Sequence, residues 1–341
     1  MELSSSRQER QKIFMWVVLG CIAVGVGYTA WVILRANAGT APVQAQGTIA
    51  GAEERKKMQT QPHIVYINLE EPHVYQARLV GLDPALPEPT QTKLSCGRLH
   101  YAAGNGICLM YNMSALNTTI VTLFDSDFQP RHQFTIEGIL SRTRVSPDGR
   151  YAAFTVFVSG HSYNDPDMST ATVLLDTATG ASLANLEEFE TWKDGQRYQA
   201  PEFNFWGVTF AQDSNQFYAT LRHGTTTYLV QGDIAARKLT VLHENVECPS
   251  LSPDGTRIAF KKSTGYQWQL TVLDLATMKE IPLAETESID DQVEWLDNER
   301  ILYQKIDYDP PKWVSVFVLP ADGSGKPEVF IPNATSPVVV H

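Results

Sequence analysis

The chain has 341 residues, enough for one large domain or two ordinary ones. A domain of nearly 300 residues buries about three quarters of the surface its unfolded chain exposes, so it can hold a core without covalent or metal staples. The formal charge of −11 at pH 7 argues against sequence-independent nucleic-acid binding, because no broad basic surface remains to neutralise phosphates.

The first 12 residues carry Arg7, Arg10 and Lys12 and are expected to form a short cytoplasmic tail. Ile13–Leu34 follows, 22 residues without a charge, with Trp16 and Trp31 near its ends. At about 1.5 Å per residue it spans roughly 33 Å, enough for the hydrocarbon core of a bilayer. Only Arg35 follows closely, so the positive-inside bias predicts a plasma-membrane signal-anchor over 13–34 with the remainder outside. A cleaved signal peptide is the rival reading, with Ala36-Asn37-Ala38 as its small-x-small site. The run is longer than the apolar core of a signal peptide, which favours the anchor; both readings export the body. Residues 35–61, rich in Ala, Gly, Gln and Thr, read as a flexible linker that can end in a short polar helix.

From His63 onward short runs of Val, Ile, Tyr, Phe and Thr alternate with turn residues, and no long 3.6-residue period appears. Two turns are nearly identical. Ser146-Pro147-Asp148-Gly149 leads into Ala152, Ala153 and Phe154, and Ser252-Pro253-Asp254-Gly255 leads into Ile258, Ala259 and Phe260. Weaker copies carry Asn105, Asp213 and Asp297, and Arg98-Leu99-His100-Tyr101 lies over Arg142-Thr143-Arg144-Val145. The anchors at 105, 148, 213, 254 and 297 are 43, 65, 41 and 43 residues apart. A period of this size is the mark of a radial β-repeat. Second hairpins run through Val173–Asp176, Leu270–Asp274 and Val316–Leu319, so each repeat supplies a four-stranded blade. Five anchored blades result. A sixth closes from the strands of residues 63–90 and the C-terminal Ser336–Val340, which removes the exposed sheet edges. The expected architecture is an all-β, six-bladed β-propeller over 62–341, preceded by one transmembrane helix. A seventh blade fits only if the 65-residue interval hides a degenerate unit.

The Ser-Pro-Asp-Gly turns and the Leu-Asp-x-x-Thr-Gly turn near Thr179 and Gly180 resemble the TolB-like, WD-type propeller repeats of bacterial envelope proteins. The expected protein departs from that family in two ways: the stretch before the first strand is too short for TolB's N-terminal α/β domain, and the apolar span anchors it in a membrane. Its motif marks turns and core strands, so it carries over no catalytic residues.

Chemistry is sparse. No Gly-x-Ser-x-Gly elbow and no Cys-x-x-Cys appear. Cys21 lies in the apolar span. Cys96, Cys108 and Cys248 would face an oxidising compartment; three is odd, so at most one bridge forms within the chain, and proximity favours Cys96 with Cys108. His161, Asn164, Asp165 and Asp167 could offer oxygen ligands, but their spacing is not that of an EF-hand and reads as a solvated loop. Asp290, Asp291 and Glu294 come from one blade and read as solvated surface. No catalytic, metal or cofactor site is expected. The insertion Glu187–Trp206 is the expected partner-binding surface, through Trp192, Tyr198, Phe203, Phe205 and Trp206. The resulting expectation is a tethered extracytoplasmic scaffold for an envelope or membrane protein partner, and not an enzyme. The alternatives are a lactonase- or hydrolase-like propeller with an axial metal, or a ligand-sensing subunit.

Overall fold

A computed structural model describes residues 50–341, apart from 83–88, 164, 166 and 308–312. The expected span at 13–34 therefore lies outside the described residues, among which no helix is long and apolar enough to cross a membrane. Helix α1 (Ala50–Gln59) comes first, the short polar helix foreseen at the end of the linker. It is not a free tether. Met58 is wholly buried beside Tyr101, Phe124 and Phe128, and the Gln59 amide donates to the Ser126 carbonyl at 2.6 Å.

Six sheets follow, antiparallel throughout except for one parallel pair in the fourth. Blade 1 takes its first strand from the C-terminus, β26 (Ala334–Val340), then β1 (His63–Asn68), β2 (Gln76–Gly81) and β3 (Thr90–Ser95). Blade 2 is β4 (Arg98–Ala102), β5 (Asn105–Tyr111), β6 (Thr118–Asp125) and β7 (Pro130–Glu137). Blade 3 is β8 (Ile139–Val145), β9 (Tyr151–Ser159), β10 (Ser169–Asp176) and β11 (Ser182–Asn185). In blade 4, β14 (Asn204–Phe210), β15 (Gln216–His223), β16 (Thr226–Asp233) and β17 (Lys238–Glu244) are extended at the outer edge by β12 (Glu190–Lys193) and β13 (Gln196–Arg197). Blade 5 is β18 (Glu247–Leu251), β19 (Arg257–Ser263), β20 (Trp268–Asp274) and β21 (Glu280–Pro282). Blade 6 is β22 (Glu294–Trp295), β23 (Arg300–Asp307), β24 (Trp313–Pro320) and β25 (Glu328–Ile331).

The first strands touch in a closed ring, β26–β4–β8–β14–β18–β22 and back to β26, which defines the axis. Closure comes from the two chain ends, through β26 against β1 with Ile64 opposite Val339. The long interval hides no seventh blade. It is a hairpin, β12–β13, whose first strand runs parallel to β17.

Local chemistry explains the repeat. In both sharp turns the serine hydroxyl donates to the aspartate at 2.6 Å, Ser146 to Asp148 and Ser252 to Asp254. The same hydroxyls accept from the Tyr151 amide at 2.9 Å and the Arg257 amide at 3.0 Å, and so close each turn onto its second strand. Second strands lie between neighbouring blades and are buried on both faces, as Ala152–Phe157 of β9 are, whereas the outer β7 leaves alternate residues exposed. Blades 2 and 3 share a core of Ile107, Val121, Leu123, Phe154 and Val156. The first strands of blades 4 and 5 approach so closely that a Cβ on Gly207 would sit 2.8 Å from the Cys248 Cα, at a φ of +65° that already favours glycine.

Candidate functional site: the axis and the hairpin face

Side chains on the innermost strands have nowhere to point but at the axis or a neighbouring blade. Blade 3 sends Arg142 and Arg144 inward from β8, and blade 2 sends Arg98 and His100 from β4. Arg144 reaches across to the opposite blade. Its guanidinium pairs with Glu294 and donates to the Val293 carbonyl at 2.9 Å and to the Ser250 hydroxyl at 3.0 Å. Burial raises the Glu294 pKa, and Arg144 only partly offsets this. His100 sits 3.9 Å from Glu294 and accepts the Val145 amide at 3.1 Å through Nδ1. Burial, reinforced by nearby Arg144, holds its pKa well below the ordinary histidine value, so the ring is neutral at pH 7.

Arg142 pairs with Asp290 at 3.0 Å, and the wholly buried Lys261 meets the same carboxylate at 2.6 Å. Burial alone would raise the Asp290 pKa, but Lys261 and Arg142 outweigh it and bring it down to about 2. The Lys261 ammonium also lies 3.9 Å from the centre of the Trp268 ring and 4.7 Å from that of Tyr163. Arg98 differs from its neighbours. It donates to the Gln304 side chain at 2.9 Å and has no carboxylate within 4.0 Å among the described residues. Burial, with Arg142 close by, lowers its pKa.

These groups divide the axis into two vestibules. A cavity of about 660 Å³ is floored by Arg98, Arg142 and Asp290 and rimmed by Tyr75, Tyr111 and His161. A second, of about 390 Å³, is lined by His100, Arg144, Glu294 and the turn residues Pro147 and Pro253. Between them lies a space of about 30 Å³.

Strand direction sorts the loops. The Ser-Pro-Asp-Gly turns join first to second strands at one face, and second strands end and third strands begin at the other. Eleven large apolar side chains are exposed among the described residues. Seven of them, Tyr75, Tyr111, Met113, Leu116, Val158, Tyr266 and Ile306, sit on or beside the second-to-third-strand connections of five blades and so lie at the same end of the propeller. Met113 is 92%, Leu116 95% and Tyr266 99% exposed. The larger vestibule opens among them.

The residues expected to bind a partner do not form one surface. Phe205 and Trp206 are a correction: both point into the interior, Phe205 in the blade 4 core and Trp206 stacked 4.7 Å from Tyr163. A strand-initial position between two blades leaves them no path to solvent. Tyr198 and Phe203 are half-buried and pack against the same core, with ring centres 5.1 Å apart. Trp192 lies on β12 with the Lys238 ammonium 5.1 Å above its ring. Asp291 and Glu294 are a second correction, since they are withdrawn from solvent beside the axial arginines, whereas Asp290 remains exposed at the vestibule yet pairs with Arg142. Reading them as surface missed the pairing because their partners come from strands 148 and 150 residues away. The overlay of Arg98 on Arg142 was the available signal, because a charge repeated on a first strand must face the axis. The Asp165 side chain caps the Asp167 amide at 3.0 Å, an Asx turn, while Asn164 lies outside the described residues. Among the described residues no group of three or more His, Cys, Asp or Glu side chains is arranged to hold a metal ion. Cys96 and Cys108 form a disulfide, and Cys248 is a buried thiol.

The class is that of six-bladed β-propellers, and the fold is that of TolB. The structure is similar to TolB from Acinetobacter baumannii, with a TM-score of 0.57 and 16% identity over 82% of this chain and 67% of that one. It is also similar to a chain of the Nidogen/Laminin complex, with a TM-score of 0.55 and 10% identity over 82% of this chain and 98% of that one. No family model matches the sequence, and no curated protein is similar to it.

Proposed function

We propose that this chain is a protein-binding propeller of the cell envelope, a binding module rather than an enzyme, which presents its hairpin face to a protein partner. The observation that carries this reading is the one-sided distribution of exposed apolar side chains, at the end of the propeller where Tyr75 and Tyr111 line a vestibule that also holds Arg98 and Arg142. Scattered single apolar residues are ordinary on a soluble surface, but a one-sided group is the pattern of an interaction site. Arg98, which forms no ion pair within 4.0 Å among the described residues, suits an acidic group of the partner. Helix α1 docks at the other face, through Gln59 to the β6–β7 turn, and leaves the hairpins clear. On this reading residues 13–34 anchor the chain in the plasma membrane with the propeller outside, and the Cys96–Cys108 disulfide supports an oxidising compartment.

The test is capture of crosslinked partners by the full chain from native envelopes, against a variant with Met113→Ser, Leu116→Ser and Tyr266→Ser. Each side chain is nearly fully exposed, so the variant should melt as the parent does and lose its partner. A variant that captures the same protein equally well would contradict the reading.

A further inference from the structure

We propose that the pocket where the extra segment bridges blades 3 and 4 is a binding site for an alkylammonium group. It shares no lining residue with the axial vestibules, so it stands whether or not the hairpin face binds protein.

The segment leaves β11 through a single 3₁₀ turn, Leu186–Glu188, capped by the Asn185 side chain. It then follows the outer edge of blade 4 and returns through residues 198–203 to start β14. A cavity of about 380 Å³ remains between the two passes. Its walls are the rings of Phe189, Tyr198 and Phe203, with Pro201 beside them and Glu187 as the charged group.

The walls are set in place from behind. Phe189 is buried against the edge of Phe217, with ring centres 6.1 Å apart. The Tyr198 hydroxyl is hydrogen-bonded to Nδ1 of His223, and Nε2 of His223 lies 2.9 Å from the Glu202 carboxylate. Tyr198 also meets Phe203 at a 52° tilt, so the two rings form a fixed corner. Such a corner presents the electron-rich faces that attract a cation and have little to offer an anion.

Glu187 supplies the rest. Its backbone amide is used by the Asn185 cap, yet its carboxylate has no hydrogen-bond or ion-pair partner among the described residues. Glu187 is solvent-exposed at the edge of the pocket, and partial desolvation there raises its pKa. The adjacent cation, Lys193, is engaged with Glu244 at 3.2 Å and with the Tyr228 ring at 4.4 Å; it also lies 5.8 Å from the centre of the Tyr198 ring, outside the pocket lining, so a ligand has to use the pocket side of that ring. Aromatic faces beside one uncompensated carboxylate complement a positively charged, partly apolar group. A free quaternary amine and the side chain of a methylated or unmodified lysine share that chemistry.

The experiment is calorimetric titration of the full chain with choline, with N-acetylated trimethyl-lysine amide and lysine amide, and with the neutral isostere of choline that has carbon in place of nitrogen. At least one cation should bind with Kd of about 1 mM or tighter, and the isostere about tenfold more weakly than choline. Tighter binding of choline assigns a free amine, and tighter binding of a lysine amide assigns a side chain. Glu187→Gln should weaken the cation about two- to fivefold, as expected for an exposed carboxylate, without moving the melting temperature, because the carboxylate has no partner to lose. Tyr198→Leu should weaken it similarly. Equal binding of the isostere, unchanged affinity in Glu187→Gln, or no binding of any cation at tens of millimolar would overturn the proposal.

Discussion

Replacing Arg144 with Met tests the axial pairing directly. The change keeps side-chain bulk and removes the charge, leaving the buried Glu294 without its partner and the Val293 carbonyl and Ser250 hydroxyl without their donor. Breaking a buried pair from one side costs about 3–5 kcal/mol, because the remaining charge stays desolvated. In a domain of this size that is on the order of 10 °C in melting temperature. The sign with pH follows from Glu294. Its folded pKa is raised above the ordinary glutamate value, so the folded state holds the proton more tightly than the unfolded chain does. The resulting stability is fully present below the ordinary glutamate range and is lost as pH rises through the folded pKa. Without Arg144 that pKa should climb further. The variant should then be most destabilised at about pH 8 and much less so at about pH 5, where Glu294 can be protonated and the lost hydrogen bonds remain. Thermal unfolding followed by circular dichroism at both pH values measures this. A loss below about 1 kcal/mol, or an equal loss at both pH values, would refute the view that this pair is a desolvated strut across the axis.

Two other outcomes follow from the fold. Cys96→Ser should lower stability by about 3 kcal/mol, since the bridge closes a short loop in the unfolded chain, and a reducing agent should lower the parent toward the variant and leave the variant unmoved. Ser252→Ala removes the acceptor of the part-buried Arg257 amide and the donor to Asp254, and should cost about 1–2 kcal/mol in denaturant unfolding; an unchanged midpoint would mean that the serine is not what closes the repeat turn.

The blades were legible in the sequence because their signals are local. A Ser-Pro-Asp-Gly turn and the strand after it lie within a few residues, and the turn geometry is set by Ser252, Asp254 and their own backbone. The strands left over outside the five anchored repeats, one set at each chain end, were enough to assign the sixth blade. The site was less legible because it depends on distance in the chain. Nothing near Asp290 announces Arg142 or Lys261, and nothing near Glu294 announces Arg144. Aromatic clustering at 189–206 drew attention correctly to an insertion, but composition does not say which rings turn inward. Phe205 and Trp206 belong to β14 and the core, whereas Tyr198 and Phe203, in the return to that strand, keep one side open.

The most direct test of the central claim is site-specific photocrosslinking in living cells, with the crosslinker placed in turn at Leu116, at Tyr266 and, on the opposite face, at Thr256. Leu116 and Tyr266 should each give a discrete adduct with the same envelope protein, and Thr256 none. Adducts from Thr256 alone, or no adduct from either hairpin, would contradict a propeller that binds its partner through the hairpin face.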